Sequence, residues 1–185
     1  MVVCVTLGEC SPEDGSRLLA QAEQIFFDTA HTTSFKSEAD RRTFYQRWFG
    51  NYANTHSGAF LFALDADGKV TGYLAGCPDS FSPAAKAIIG DIYYFTPSFC
   101  GALKNYPSHF HINVLPGQQG KGIGHLLAGR FAEVCAAAGS PGIHVVTGSS
   151  SRAVRFYKAC GFELVVPYTG ADPGLAILIR TTAAP

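Results

Sequence analysis

The spacing of apolar and polar positions changes along the chain, and each change predicts an element. Val2 to Leu7 reads as a first strand. Ser11-Pro12-Glu13-Asp14 supplies an N-cap, a proline for the first turn and two acids suited to the positive end of a helix dipole. A helix carrying Leu18, Leu19, Ala22, Ile25, Phe26 and Thr29 on one face follows from that start. Ser37-Glu38-Ala39-Asp40 opens a second helix with Phe44, Tyr45, Trp48, Phe49 and Tyr52, an aromatic stripe that reads as core packing or as a substrate wall. Ala59 to Leu64 and Val70 to Gly76 flank the turn residues Asp65-Ala66-Asp67-Gly68 and predict an antiparallel hairpin. From Cys77 to Tyr106 the periodicity breaks into prolines, serines and aromatics, among them Phe81, Tyr93, Tyr94, Phe95 and Phe99, with a short helix near Pro83 to Ile89. Such a stretch is either functional or a packed excursion without chemistry.

His109 to Leu115 then alternates as a strand and stops at Pro116-Gly117. A glycine-rich turn leads into a helix whose apolar face is Ile123, Leu126, Leu127, Phe131, Val134 and Cys135, closed by Gly139. Strand, glycine loop and helix start together aim backbone N–H groups at one spot, which suits phosphate oxygens without many basic side chains. Gly120, Gly122 and Gly124 let the chain approach a diphosphate, and Lys121 offers a cation to an outer phosphate. The triphosphate-loop pattern fails because Gly122 follows Lys121, and the dinucleotide fingerprint fails because His125 stands where its third glycine belongs.

Composition narrows the function classes. At 185 residues and 19.7 kDa the chain is read as one domain, 1–185, large enough to bury a core without disulfides or a structural metal. With 47% hydrophobic residues, 15% charged residues and 14 of each charge sign, it lacks the signature of disorder and of a nucleic-acid footprint. No apolar run reaches membrane-spanning length, and Met1 to Cys10 lacks a signal-peptide pattern, so no membrane partner and a cytoplasmic location are expected. Cys4, Cys10, Cys77, Cys100, Cys135 and Cys160 are scattered, read as mostly buried thiols, and form no nucleophile arrangement with His and Asp. His109 and His111 form a His-x-His pair with no third ligand at metal spacing, so no metal is expected.

Gln119-Gly120-Lys121-Gly122-Ile123-Gly124 resembles the Gln/Arg-x-x-Gly-x-Gly/Ala signature of the GNAT superfamily of acyl-CoA-dependent N-acetyltransferases. A second motif follows in order. Ile143 to Val146 supplies the next strand, and Ser150-Ser151-Arg152-Ala153-Val154-Arg155-Phe156-Tyr157-Lys158-Ala159-Cys160-Gly161-Phe162 resembles the family's next helix with its Tyr-x-x-x-Gly-Phe ending. The matching stretch is 108–166. Gly72 to Cys77 and Tyr106 to Asn113 are also similar to acetyltransferase-like domains attached to O-GlcNAc hydrolases and to their stand-alone microbial relatives.

The resemblance implies an α/β fold with a twisted, mixed, mostly antiparallel sheet of about six to seven strands and helices on both faces. It implies acetyl-CoA as cosubstrate, a primary amine on a small molecule or protein as acceptor, and direct transfer without an acyl-enzyme. Val114 and Leu115 take the place where strand backbone pairs with the pantetheine arm. The diphosphate falls on the amides of Gln119 to Gly124, Ile123 included, and a strand N–H near Asn113 or Val114 meets charge on the former carbonyl oxygen. Tyr157 matches the tyrosine that protonates the departing thiolate. The strand lacks the glutamate many relatives carry, so the proton acceptor falls to His111 or His109, which share one strand face with Asn113 and read equally as structural histidines. Asp79 and Asp91 are further candidates. Ser150 stands where relatives often have a cofactor-contacting Asn, so the resemblance places it on the cofactor, and its side chain can also cap the helix. Phe156 fits cofactor packing or core, and Arg152, Arg155 and Lys158 fit either the ribose-phosphate side of CoA or a solvated face. A non-catalytic acyl-CoA-binding or interaction module is the alternative, and a dinucleotide oxidoreductase is a weaker rival. Acceptor identity and oligomeric state stay open.

Overall fold

The computed structural model describes residues 2–90, 92, 95–165 and 174–182. Asp91, Tyr93 and Tyr94, and Val166 at the end of the 108–166 stretch, lie outside the described residues. In chain order the elements are β1 (Val3–Thr6), α1 (Pro12–Thr29), α2 (Glu38–Tyr45), a π-type turn (Gln46–Gly50), α3 (Asn51–Thr55), β2 (Phe60–Leu64) and β3 (Val70–Cys77). Then come α4 (Lys86–Ile89), α5 (Pro97–Ala102), β4 (Ser108–Val114), α6 (Ile123–Ala137), β5 (Gly142–Gly148), α7 (Arg152–Ala159), β6 (Glu163–Val165) and β7 (Leu175–Thr181). The seven strands form a mixed sheet in the order β1-β2-β3-β4-β5-β7-β6.

By internal contacts the chain divides into two compact units, residues 1–77 with 111–131, and residues 78–110 with 132–185. In the first, α1 begins as its sequence dictates: Ser11 accepts a hydrogen bond from the Asp14 N–H at 3.1 Å and Pro12 opens the first turn. Ser37 caps α2 in the same way through Asp40. The backbone stays helical from Tyr45 through Asn51, so the expected second helix is one path interrupted by the π-type turn. Its extra residue rephases the helix, leaving Phe49 and Tyr52 fully buried while Trp48 keeps partial exposure. The hairpin pairs Phe60 with Ala75 and Phe62 with Tyr73, and Gly68 makes its turn at φ +73°.

A Cβ on Gly76 would meet the Phe131 ring and the Ala59 carbonyl oxygen, the latter at 2.7 Å, so only glycine lets α6 lie this close to β3. Gly76→Ala is expected to cost about 2–3 kcal/mol through overpacking, read as a lower denaturant midpoint at unchanged slope. An unchanged midpoint would mean the contact relaxes freely. Leu126, expected in the apolar face of α6, is instead 39% exposed. The helix buries Ile123, Leu127, Ala128 and Phe131 here, so its inner stripe is narrower than the sequence pattern drew it.

In the second unit β4 and β5 run parallel, pairing at Ser108 with Ile143 and at His109 with His144. β5 pairs antiparallel with β7 from Gly142–Thr181 to Gly148–Leu175. The short helix expected near Pro83 is a 3-10 turn, Pro83–Ala85, running into α4, while α5, capped by Thr96, has no counterpart in the sequence reading. No described helix is long and apolar enough to cross a membrane.

Candidate active site

β4 ends against β3. The Leu115 N–H donates to the Thr71 carbonyl at 2.9 Å, and the Gln118 N–H donates to the Leu115 carbonyl at 2.9 Å, which starts the turn. Both backbone groups of Leu115 thus have protein partners. Strand N–H directions alternate, so the Val114 amide points away from β3.

The loop then turns on glycines at φ +82° (Gly117), +78° (Gly120) and +82° (Gly122), conformations that side-chain-bearing residues rarely adopt. Gly124 differs: it is the second residue of α6. Among the described residues no protein acceptor meets the backbone N–H of Gly120, Lys121, Gly122 or Ile123. A Cβ placed on Gly120 or Gly122 would meet nothing within 4 Å, so the turn is open on that side at both residues. Gln119 braces the turn through Nε2 to the Val114 carbonyl at 3.3 Å, and Lys121 Nζ rests on Gln118 Oε1 at 2.9 Å. Backbone donors at a helix start are chemically suited to an anion.

Beside β4 in the same unit lies a cavity of about 250 Å³, lined by Phe26, Thr29, Ala30, His31, Thr32, Phe44, Trp48, His111 and Asn113. The aromatic stripe therefore divides. Phe49 and Tyr52 are core, whereas Phe44 and Trp48 form a wall. Trp48 meets the His111 ring edge-on at 4.7 Å between centroids. His111 Nε2 is buried, and desolvation pushes the imidazole down to about 4, so it is neutral at ordinary pH. Asn113 Nδ2 donates to the buried Tyr73 hydroxyl at 2.7 Å, which fixes the amide and leaves Oδ1 as an acceptor. His31 and Thr32 escaped the sequence reading because they follow the end of α1 in a run without periodicity.

The remaining candidates belong to the second unit. His109 is 4% exposed and its Nδ1 lies 2.6 Å from Ser80 Oγ. Because the Ser80 hydroxyl gives its proton to the Pro107 carbonyl at 2.5 Å, His109 Nδ1–H is the donor to Ser80. His144 lies 5.5 Å away ring to ring and donates Nδ1–H to the Tyr106 carbonyl at 2.6 Å. Burial holds His144 down at about 4. His109 thus has a built structural setting, whereas His111 lines the cavity. Asp79 accepts the Phe81 N–H at 2.8 Å in a surface turn.

Tyr157 is 8% exposed, with Phe110, Phe156 and Phe162 within 6.0 Å ring to ring, and burial drives its phenol well above the ordinary tyrosine range. It stays protonated at any working pH. The cap of α7 is Ser151, whose Oγ accepts the Ala153 N–H at 3.1 Å, which corrects the assignment to Ser150. Ser150 is exposed one residue earlier, and Arg152, Arg155 and Lys158 are exposed on α7 itself. Burial raises the thiols of Cys135, to about 12, and Cys160, to about 11, and also those of Cys10 and Cys100. None of these four is an activated nucleophile. Cys77 Sγ does lie 3.6 Å from His56 Nε2, a pairing the sequence did not reveal, but Cys77 is shut off from solvent. Among the described residues no group of three His, Cys, Asp or Glu side chains could hold a metal ion.

The Acetyltransferase (GNAT) family profile matches residues 26–162, and the chain belongs to that family. Solved structures share the fold at low identity. SsHAT matches at 19% identity over 99% of both chains with a TM-score of 0.73. Ard1 from Thermoplasma volcanium matches at 16% identity over 99% of both, with a TM-score of 0.61. A phosphinothricin acetyltransferase from Sinorhizobium meliloti, solved with AcCoA, matches at 19% identity over 97% of this chain and 88% of its own, with a TM-score of 0.58.

Proposed function

We propose that this protein is an acetyl-CoA-dependent N-acetyltransferase that moves an acetyl group to a primary amine by direct transfer. The observation that carries the reading is the Gly120 to Ile123 segment, whose backbone amides meet no acceptor among the described residues and which is open on its outer side at Gly120 and Gly122, at the start of α6. Those amides suit the diphosphate of CoA, and the Sinorhizobium neighbour solved with AcCoA supports the choice of carrier. Acetyl-CoA supplies the acetyl group already activated as a thioester.

The chain's residues do the rest. The Gln119 to Gly124 segment binds and orients the carrier, and the outward Val114 amide steadies its arm. A β4 N–H near Asn113 or Val114 stabilises charge on the carbonyl oxygen. His111, neutral at working pH, accepts a hydrogen bond from the attacking amine and relays the proton it gives up toward solvent as the nitrogen bonds to the acetyl carbon, because burial leaves the ring too weakly basic to keep it. Tyr157 donates a hydrogen bond or proton to the sulfur as the carbon–sulfur bond breaks.

The test is calorimetry with acetyl-CoA together with amine-dependent thiol release. Saturable binding and release establish the enzyme. Binding without release over a broad amine panel would leave only a carrier-binding module, and no binding would overturn both. Gly122→Ala is expected to weaken acetyl-CoA about tenfold, because a methyl group enters the turn and the left-handed backbone costs about 1–2 kcal/mol. Unchanged affinity would move the diphosphate elsewhere.

A further inference from the structure

Resting on that reading, we infer that the acceptor taken by the 250 Å³ cavity is a small monoamine built on a single uncharged ring, an arylalkylamine in chemical class. The walls select for it. Phe26 of α1, Phe44 of α2 and Trp48 of the π-type turn present aromatic surface from three elements, with the Phe26 and Phe44 rings 5.3 Å apart. A cavity of about 150 Å³ accepts benzene, so this one has room for a ring and a short amine-bearing arm. A straight alkyl chain leaves part of it unfilled, and water fills aromatic-lined space poorly.

Charge points the same way. Among the described residues no carboxylate lines the cavity, so a second ammonium, as on a polyamine, finds no counter-ion from them and sheds its water with little compensation. The polar lining is instead suited to one amine. Asn113, held by Tyr73 at 2.7 Å, offers Oδ1 to an N–H, and His111 adds a neutral imidazole. Of the Thr29 and Thr32 hydroxyls, Thr29 is already committed to the Ile25 carbonyl at 2.6 Å.

Trp48 is the chain's one tryptophan, so its emission reports occupancy of this cavity without any acetyl transfer. The protein is titrated with 2-phenylethylamine, n-butylamine, spermidine and a lysine-containing peptide. The expected result is a saturable change with 2-phenylethylamine at a midpoint at least about tenfold below the other three. Phe44→Ala should raise that midpoint about tenfold, and Phe44→Leu, which keeps apolar volume, should raise it less, with melting curves as the check on folding. Silence with every amine, or butylamine, spermidine or peptide matching the ring amine, would overturn the inference. The two readings fail separately. Saturation here without acetyl-CoA binding sinks the acetyltransfer and keeps the cavity's preference, while thiol release with only non-ring amines does the reverse.

Discussion

Replacing Tyr157 with Phe is expected to lower turnover about 10²-fold while leaving acetyl-CoA affinity within about twofold, measured by thiol release and calorimetry. The size follows from the environment. General acid catalysis contributes about 10²–10⁴-fold, and a phenol pushed above its ordinary range by burial is a poor full donor, so the low end applies. Phe keeps the ring contacts with Phe110, Phe156 and Phe162, so the folded state should lose little. A variant with a lowered melting temperature and normal turnover would make Tyr157 a packing residue and remove it from the reaction.

The largest effect on stability is expected from acid. His111 and His144 are each held near 4 by burial, below the 6.5 of an open histidine. Between those values the unfolded chain binds protons that the folded chain refuses, so stability is fully present above pH 6.5 and drains away as pH falls toward 4. At 1.36 kcal/mol per pH unit each histidine withdraws about 3 kcal/mol over that range. Two such losses are comparable with the whole stability of a domain, about 5–15 kcal/mol. Denaturant midpoints should be flat from pH 8 to 7 and fall steeply below 6. His144→Phe should halve the slope while the His111 share persists. A midpoint independent of pH from 7 to 4 would show that neither ring is kept neutral by the fold.

Much of this was legible in the sequence because it is written locally. Ser11 and Ser37 cap their helices through neighbours three residues on, the Asp65 to Gly68 turn closes its hairpin, and the glycine run marks the turn before α6. What escaped depends on distant partners. Alternation places His109 and His111 on one strand face, yet only the fold supplies Ser80 to one and Trp48 to the other. Ser149, Ser150 and Ser151 have the same capping chemistry, and the choice of Ser151 rests on where β5 releases the chain. The π-type turn has no signature of its own, since its residues suit an α-helix equally well, and so the division of the aromatic stripe into core and wall was invisible. Leu115 followed the strand pattern, but its amide belongs to Thr71, a partner 44 positions earlier by the difference of their numbers.

The raised thiols of Cys10, Cys100, Cys135 and Cys160 bear on how the reaction can be watched. Chromogenic aromatic disulfides react with thiolates, and these four sulfurs remain protonated at mildly alkaline pH. In a thiol-release assay of the proposed transfer these four sulfurs should therefore add little colour, and with Cys77 buried the protein blank should trace mainly to Cys4.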